Sequence, residues 1–312
     1  MSTPLLSIIL VFHQMAREAP RTLYSVSRAY QRGIDGLDYE VIALDHGSSP
    51  PLDVDLPRRF GREFIYRRIE SRCPSPVQAI NAAARTARGT YLAVHIDGAR
   101  ILSPGVLAGF HAATRVHSAP FAHTMSFHLG PGLQNQTMLQ GYDRAVEDRL
   151  LASVGWMADG YRLFTCSVLA GSSASGFLGD IMETNCFTLP RRHFLDMGGF
   201  HPAFQTPGGG LCNLDFYSRA MQDTALQPVR LLGEGTFHQF HGGVATNVPQ
   251  EQHPFESFQA EYRAIRGRDW IPTTGQDPIY LGRVHPASRP FLTSAPGHPA
   301  PLSSRSQESS SS

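Results

Sequence analysis

Three apolar runs near the start of the chain constrain its fold most: Leu6-Ser-Ile-Ile-Leu-Val-Phe12, Tyr39-Glu-Val-Ile-Ala-Leu-Asp45 and Tyr91-Leu-Ala-Val-His-Ile-Asp97. Each is short and nearly continuous, the pattern of a strand covered on both faces. Helical spacing fills the gaps. Leu23, Val26, Ser27 and Tyr30 recur at i, i+3, i+4 and i+7 between Pro20 and Gly33, with proline suited to the first turn and glycine to the end. Ser75-Pro76 opens a second helix carrying Val77, Ile80 and Ala84, and Ser103-Pro104 opens a third carrying Val106, Leu107 and Phe110. Phe64-Ile-Tyr66 reads as a short extra strand. Alternating strand and helix predicts an α/β fold: an open, mostly parallel sheet flanked by helices on both faces. Ligands bind such sheets beyond the carboxyl ends of the strands, which places Asp45 and Asp97 on one rim.

The second half is less regular. Residues 119–136 read as strand and loop, 138–153 as an amphipathic helix, and 170–179 as a Gly/Ser-rich loop. A short helix follows Pro190, and another starts near Asn213 after Gly208-Gly-Gly210. From Arg283 onward Pro and Ser dominate, so 283–312 is expected as a disordered tail. The net charge of +1 removes the electrostatic case for a nucleic-acid binder. All 27 basic residues are arginine, which excludes a lysine Schiff base. No apolar run approaches the length of a membrane span and no signal peptide is visible. Four scattered cysteines without a CxxC pair fit free thiols in a reducing compartment, and the expected location is cytoplasmic.

The chain resembles family 2 glycosyltransferases of the GT-A fold from about Leu6 to Thr246. The stretches that carry the likeness are Leu6–His13, Tyr39–Ser49, Gly89–Gly98, Asn185-Cys-Phe-Thr-Leu-Pro-Arg-Arg192 and Met197-Gly-Gly-Phe200. The resemblance implies one domain over 1–282, with a nucleotide-sugar-binding half (1–117) and an acceptor and metal half (118–282). It also implies transfer of a sugar from a nucleoside-diphosphate sugar to a glycan, lipid or protein acceptor, with Mg²⁺ or Mn²⁺ neutralising the diphosphate. In the family an Asp-x-Asp motif and a later histidine hold that metal. Here the segment reads Asp97-Gly98-Ala99-Arg100, so the second carboxylate is missing, and Arg100 is a substitute phosphate partner. Implied metal ligands are Asp97 with His238 or His241, although residues i and i+3 of a strand face opposite sides unless a turn at Gly242-Gly243 intervenes. Glu234 is a candidate second-layer support for a histidine.

Donor contacts implied by the likeness are His13, Asp45, Asp97 and Arg100; the alternative for Asp45 is a turn-initiating aspartate. The family's base belongs to a Glu-Asp pair at a helix start, and Cys212-Asn213 stands there instead. Asn213 cannot accept the proton and equally suits a helix cap. Asp215 is the nearest carboxylate, two positions and about 200° round the helix. Glu183 and Asn185 are implied acceptor contacts. Asp97, beyond a strand end, is expected to be replaceable by alanine without loss of folding. The rival reading is a non-catalytic binding module of the same fold, favoured by the two missing carboxylates. A nucleotidyltransferase is disfavoured because Phe12–Arg17 lacks a glycine.

Overall fold

The computed structural model of the chain describes residues 3–71, 73–273 and 275–293. Ten strands form one sheet: β1 (Leu6–Phe12), β2 (Tyr39–His46), β3 (Phe64–Ile69), β4 (Tyr91–His95), β5 (Arg100–Leu102), β6 (Pro120–Leu129), β7 (Ser167–Leu169), β8 (Cys186–Pro190), β9 (Gln227–His238) and β10 (Ile279–Gly282). The helices are α1 (Ala19–Ser25), α2 (Val77–Thr86), α3 (Val106–Val116), α4 (Gln134–Thr137), α5 (Arg144–Val154), α6 (Arg191–Asp196), α7 (Cys212–Gln222) and α8 (Phe255–Arg266). The sheet order is β10-β9-β6-β8-β4-β1-β2-β3, with β5 added on β9 and β7 on β6.

Both faces of the sheet are covered, as the unbroken apolar runs require. Along β1, Ile9 and Val11 enter one apolar cluster while Leu6, Ile8, Leu10 and Phe12 enter the other; Ile42 and Leu44 oppose Val41 and Ala43 along β2 in the same way. Val77, Ile80 and Ala84 of α2 and Phe216 of α7 cover the first face, and Leu23 of α1 and Phe110 of α3 cover the second. Period-two alternation therefore sends successive side chains into two separate cores.

Pairing fixes the functional edge. Strands β4, β1, β2 and β3 are mutually parallel, and β8 runs antiparallel between β4 and β6. Strand β9 is parallel to β6. The carboxyl ends of β1, β2, β4, β6 and β9 and the amino end of β8 consequently share one rim. Asp45, Asp97, Asn185 and His238 all belong to it.

Several sequence expectations change in detail. The first helix is only Ala19–Ser25, and α5 begins at Arg144 behind an Asp143 cap. Strands β5, β7 and β10 and helix α8 carried no clear local signal. Residues 283–293, assigned to the tail on composition, are ordered on the body. A 3-10 turn spans Pro286–Phe291, and the Phe291 ring sits 5.1 Å from Phe127. The remainder of that expected tail, 294–312, lies outside the described residues. All four cysteines are free, with Cys186 and Cys212 buried. Among the described residues no helix is long and apolar enough to cross a membrane.

Candidate functional site

The turn after β4 is built to hold a carboxylate. Gly98 packs so closely on the end of β1 that a Cβ there would lie 2.3 Å from the Val11 carbonyl oxygen. Only glycine fits that approach. Gly98 N donates to Val11 O (2.8 Å), and Ala99 N donates back to Asp97 Oδ1 (3.0 Å). Ala99, at the position of the missing second carboxylate, is fully buried in the apolar cluster beneath.

Asp97 meets both histidines. His238 Nε2 is 3.2 Å from Asp97 Oδ2, His241 Nε2 is 3.9 Å from Asp97 Oδ1, and the two Nε2 atoms are 3.2 Å apart. The strand objection to pairing His238 with His241 falls away because β9 ends at His238. Beyond it, Asn247 Oδ1 accepts from the backbone N–H groups of His241 (3.1 Å), Gly242 (2.8 Å) and Gly243 (3.0 Å), folding His241 back over the strand end.

The protonation pattern of this cluster is informative. His238 Nδ1 faces Gln134 Oε1 at 2.7 Å, and the Gln134 amide donates to His238 O at 2.9 Å. An acceptor at Nδ1 places a ring proton there and turns Nε2 towards Asp97. Burial pushes the His238 pKa down to about 4, against the pull of Asp97. Burial would raise the Asp97 carboxyl, but the His238 hydrogen bond and the charges of His241, His238 and Arg100 hold it well below the usual carboxylate range. His238 Nε2 and the Asp97 carboxylate thus lie within hydrogen-bond distance of each other on the buried rim. That arrangement is favourable when a cation is shared, and the three donor atoms lie within 4.8 Å of one another. The residues fit a divalent metal.

Arg100 is 5% exposed on β5 and turns its Nε to Asp97 Oδ2 at 3.2 Å. It reaches the rim through Asp97. Its Nη1 is buried without a hydrogen-bond partner. Asp45 is also buried: its carboxylate accepts from Ser48 N (3.2 Å), Leu52 N (2.9 Å) and Tyr66 Oη (3.0 Å). These are the contacts of the turn-forming alternative. His13 is exposed at the end of β1, with Nδ1 against His46 O at 2.7 Å. Asn185 is buried, donating to Ser126 Oγ at 2.7 Å, while its carbonyl accepts from Ile96 N at 3.2 Å.

Asp215, the expected base, is 2% exposed and ion-paired twice, to Arg219 Nε (2.9 Å) and to Arg266 Nε (2.7 Å). Two guanidiniums occupy its oxygens, so it is tied into the core of the α7–α8 contact and not presented to an acceptor. Asn213 does not cap α7. The cap position is Leu211, and the Asn213 amide instead donates to Glu183 Oε2 at 2.7 Å.

Glu234 supports neither histidine. It lies under the start of α3, accepting from Ser103 Oγ, Gly105 N (3.0 Å) and Tyr161 Oη (2.6 Å). Burial raises its pKa to about 7, with those three hydrogen bonds opposing the rise. Between about pH 4.5 and 7 the folded chain keeps a proton that the unfolded chain releases, so folding stability falls as pH rises through that window, by roughly 2–3 kcal/mol. Urea unfolding at pH 5 and pH 7.5 should show this difference, and Glu234→Gln should flatten it.

Gln134 and Asn247, absent from the sequence expectations, orient the two histidines. An asparagine a few positions after Gly-Gly is a turn cue that would have found one of them.

No protein-family model matches the sequence, and no curated protein matches it. Among solved structures the chain resembles S. aureus TarS 1–349, at 13% identity and a TM-score of 0.51, covering 83% of this chain and 64% of that one. A longer S. aureus TarS structure matches at 12% identity and a TM-score of 0.49, covering 76% and 37%. The TarS 1–349 complex with UDP matches at 14% identity and a TM-score of 0.45, covering 68% and 54%; a complex with UDP-GlcNAc is also known. The chain thus spans just under two thirds of the TarS 1–349 structure. At such identities the likeness to that structure establishes a shared fold.

Proposed function

We propose that the chain is a glycosyltransferase that moves a sugar from a nucleoside-diphosphate sugar, with Asp97, His238 and His241 holding a divalent cation at the diphosphate. The observation that carries this reading is the cluster of Asp97, His238 and His241 on the carboxyl rim of the sheet, whose ligand atoms lie within 4.8 Å of one another. The fold shared with S. aureus TarS, a protein known in complex with UDP and UDP-GlcNAc, supports the same donor class.

When bound, the cation would neutralise charge developing on the departing diphosphate. Asp97 and the two imidazoles would supply one carboxylate oxygen and two ring nitrogens, a set that suits Mn²⁺ better than Mg²⁺ because imidazole favours first-row transition ions. Arg100 holds the Asp97 carboxylate in place from below and adds positive charge to the site. Asp45 orders the loop after β2, which walls the nucleoside side, and His13 presents its free Nε2 at the neighbouring strand end. Gln134 fixes the His238 tautomer.

Calorimetry with UDP and UDP-GlcNAc tests the reading. Binding in Mn²⁺ that disappears in EDTA, with UDP release on turnover, is the expected result; absence of UDP binding in Mn²⁺, Mg²⁺ and Zn²⁺ alike overturns it. Gln134→Ala should weaken Mn²⁺ affinity by about 10–100-fold, the usual cost of losing an outer partner of a ligating histidine. The ion-paired Asp215 and the amide at 213 favour a second reading, a binding module without catalysis. Tight UDP-GlcNAc binding with no UDP release from any nucleotide-sugar donor would select it.

A further inference from the structure

An acceptor hydroxyl becomes a competent nucleophile when a carboxylate that is not neutralised by a cation stands ready for its proton. Along this rim the carboxylates are mostly committed. Asp45 is spent on its own loop, Asp97 on the histidines, and Asp215 on two arginines. Position 213 is an amide.

Glu183 differs from all of these. It lies just before β8 and is partly exposed. No ion pair to an arginine or histidine involves it among the described residues. Its Oε2 accepts from Asn213 Nδ2 at 2.7 Å, and Asn213 Oδ1 is buried without a partner. The amide is therefore held by Glu183 alone, and it donates to one carboxylate oxygen while leaving the other open. An uncharged donor on one oxygen orients a carboxylate without cancelling its charge. The backbone also brings Glu183 towards the cation ligand: Asn185, two residues on, accepts through its carbonyl from Ile96 N, the residue before Asp97, at 3.2 Å.

We infer that Glu183 is the catalytic base, oriented by Asn213, so that the carboxylate has moved from the start of α7 to the loop before β8. This rests on the sugar-transfer reading above. The acceptor O–H proton passes to Glu183, the oxygen forms a bond to the sugar anomeric carbon, and the bond from that carbon to the diphosphate breaks with its electron pair leaving on the nucleoside diphosphate. A single displacement of this kind inverts the anomeric configuration.

The test uses the full chain with Mn²⁺ and water as the acceptor, measuring UDP release from UDP-GlcNAc, UDP-glucose and UDP-galactose, with UDP affinity from calorimetry. Glu183→Gln should lower kcat by about 100-fold or more with UDP affinity unchanged. Formate added to Glu183→Ala should restore part of the lost rate, a rescue that a merely structural role would not give. Asn213→Ala should lower kcat less, with UDP affinity unchanged. Turnover within threefold of wild type in Glu183→Gln overturns the assignment and leaves the sugar-transfer reading standing. A loss in both Glu183 variants that comes with loss of UDP binding, or that formate does not restore, also overturns it. A wild-type chain that releases no UDP from any donor overturns the transfer reading and this base with it.

Discussion

Asp97→Asn should abolish cation-supported nucleotide binding, weakening UDP affinity in Mn²⁺ by about 100-fold or more, since even an outer partner of a metal ligand is worth 10–100-fold. Calorimetry in Mn²⁺ and in EDTA reads this directly: in EDTA the variant and the wild type should be alike. Asp97→Ala should also destabilise the fold, contrary to the expectation for a residue beyond a strand end. The carboxylate is the partner of Arg100, which is 5% exposed and already has one unpartnered buried nitrogen. Leaving that guanidinium unpaired should cost about 3 kcal/mol in urea unfolding. An alanine variant as stable as the wild type would show that the Arg100–Asp97 pair contributes nothing to folding.

The second large effect belongs to Asp215. Asp215→Ala leaves both Arg219 and Arg266 without their shared carboxylate at the α7–α8 contact. Both arginines keep about a quarter of their side chains exposed, so water screens part of the loss, and about 3 kcal/mol is expected. For a chain of this size that is a drop of roughly 5 °C in Tm. The folded protein should keep its UDP affinity and its donor turnover. A variant with wild-type Tm and no turnover would return Asp215 to the role of base.

The strands and the rim were legible in the sequence because their cause is local. Continuous apolar runs have one low-energy use in a chain this polar elsewhere, and alternating helices force the strands parallel, so the ends at Asp45 and Asp97 fall together. Asp97 was legible for the same reason, and Gly98 after it reports a close backbone approach. Contacts across long separations were not. Asn213 meets Glu183 over 30 positions and Gln134 meets His238 over 104. No periodicity encodes such pairs.

Local rules also stopped applying where the local element ended. Opposite faces for His238 and His241 holds inside a strand, but β9 stops at His238 and Asn247 gathers the following turn. Likewise an aspartate on the first turn of α7 reads as a free acid until α8 brings Arg266 to it. The amino-acid order on its own determined a two-faced α/β sheet and the edge where polar groups collect, because burial of apolar side chains depends on spacing along the chain. Which of those polar groups carry charge, which are paired and which stay open was decided only by the packed structure, because ionisation and pairing depend on distances between segments that meet only after folding.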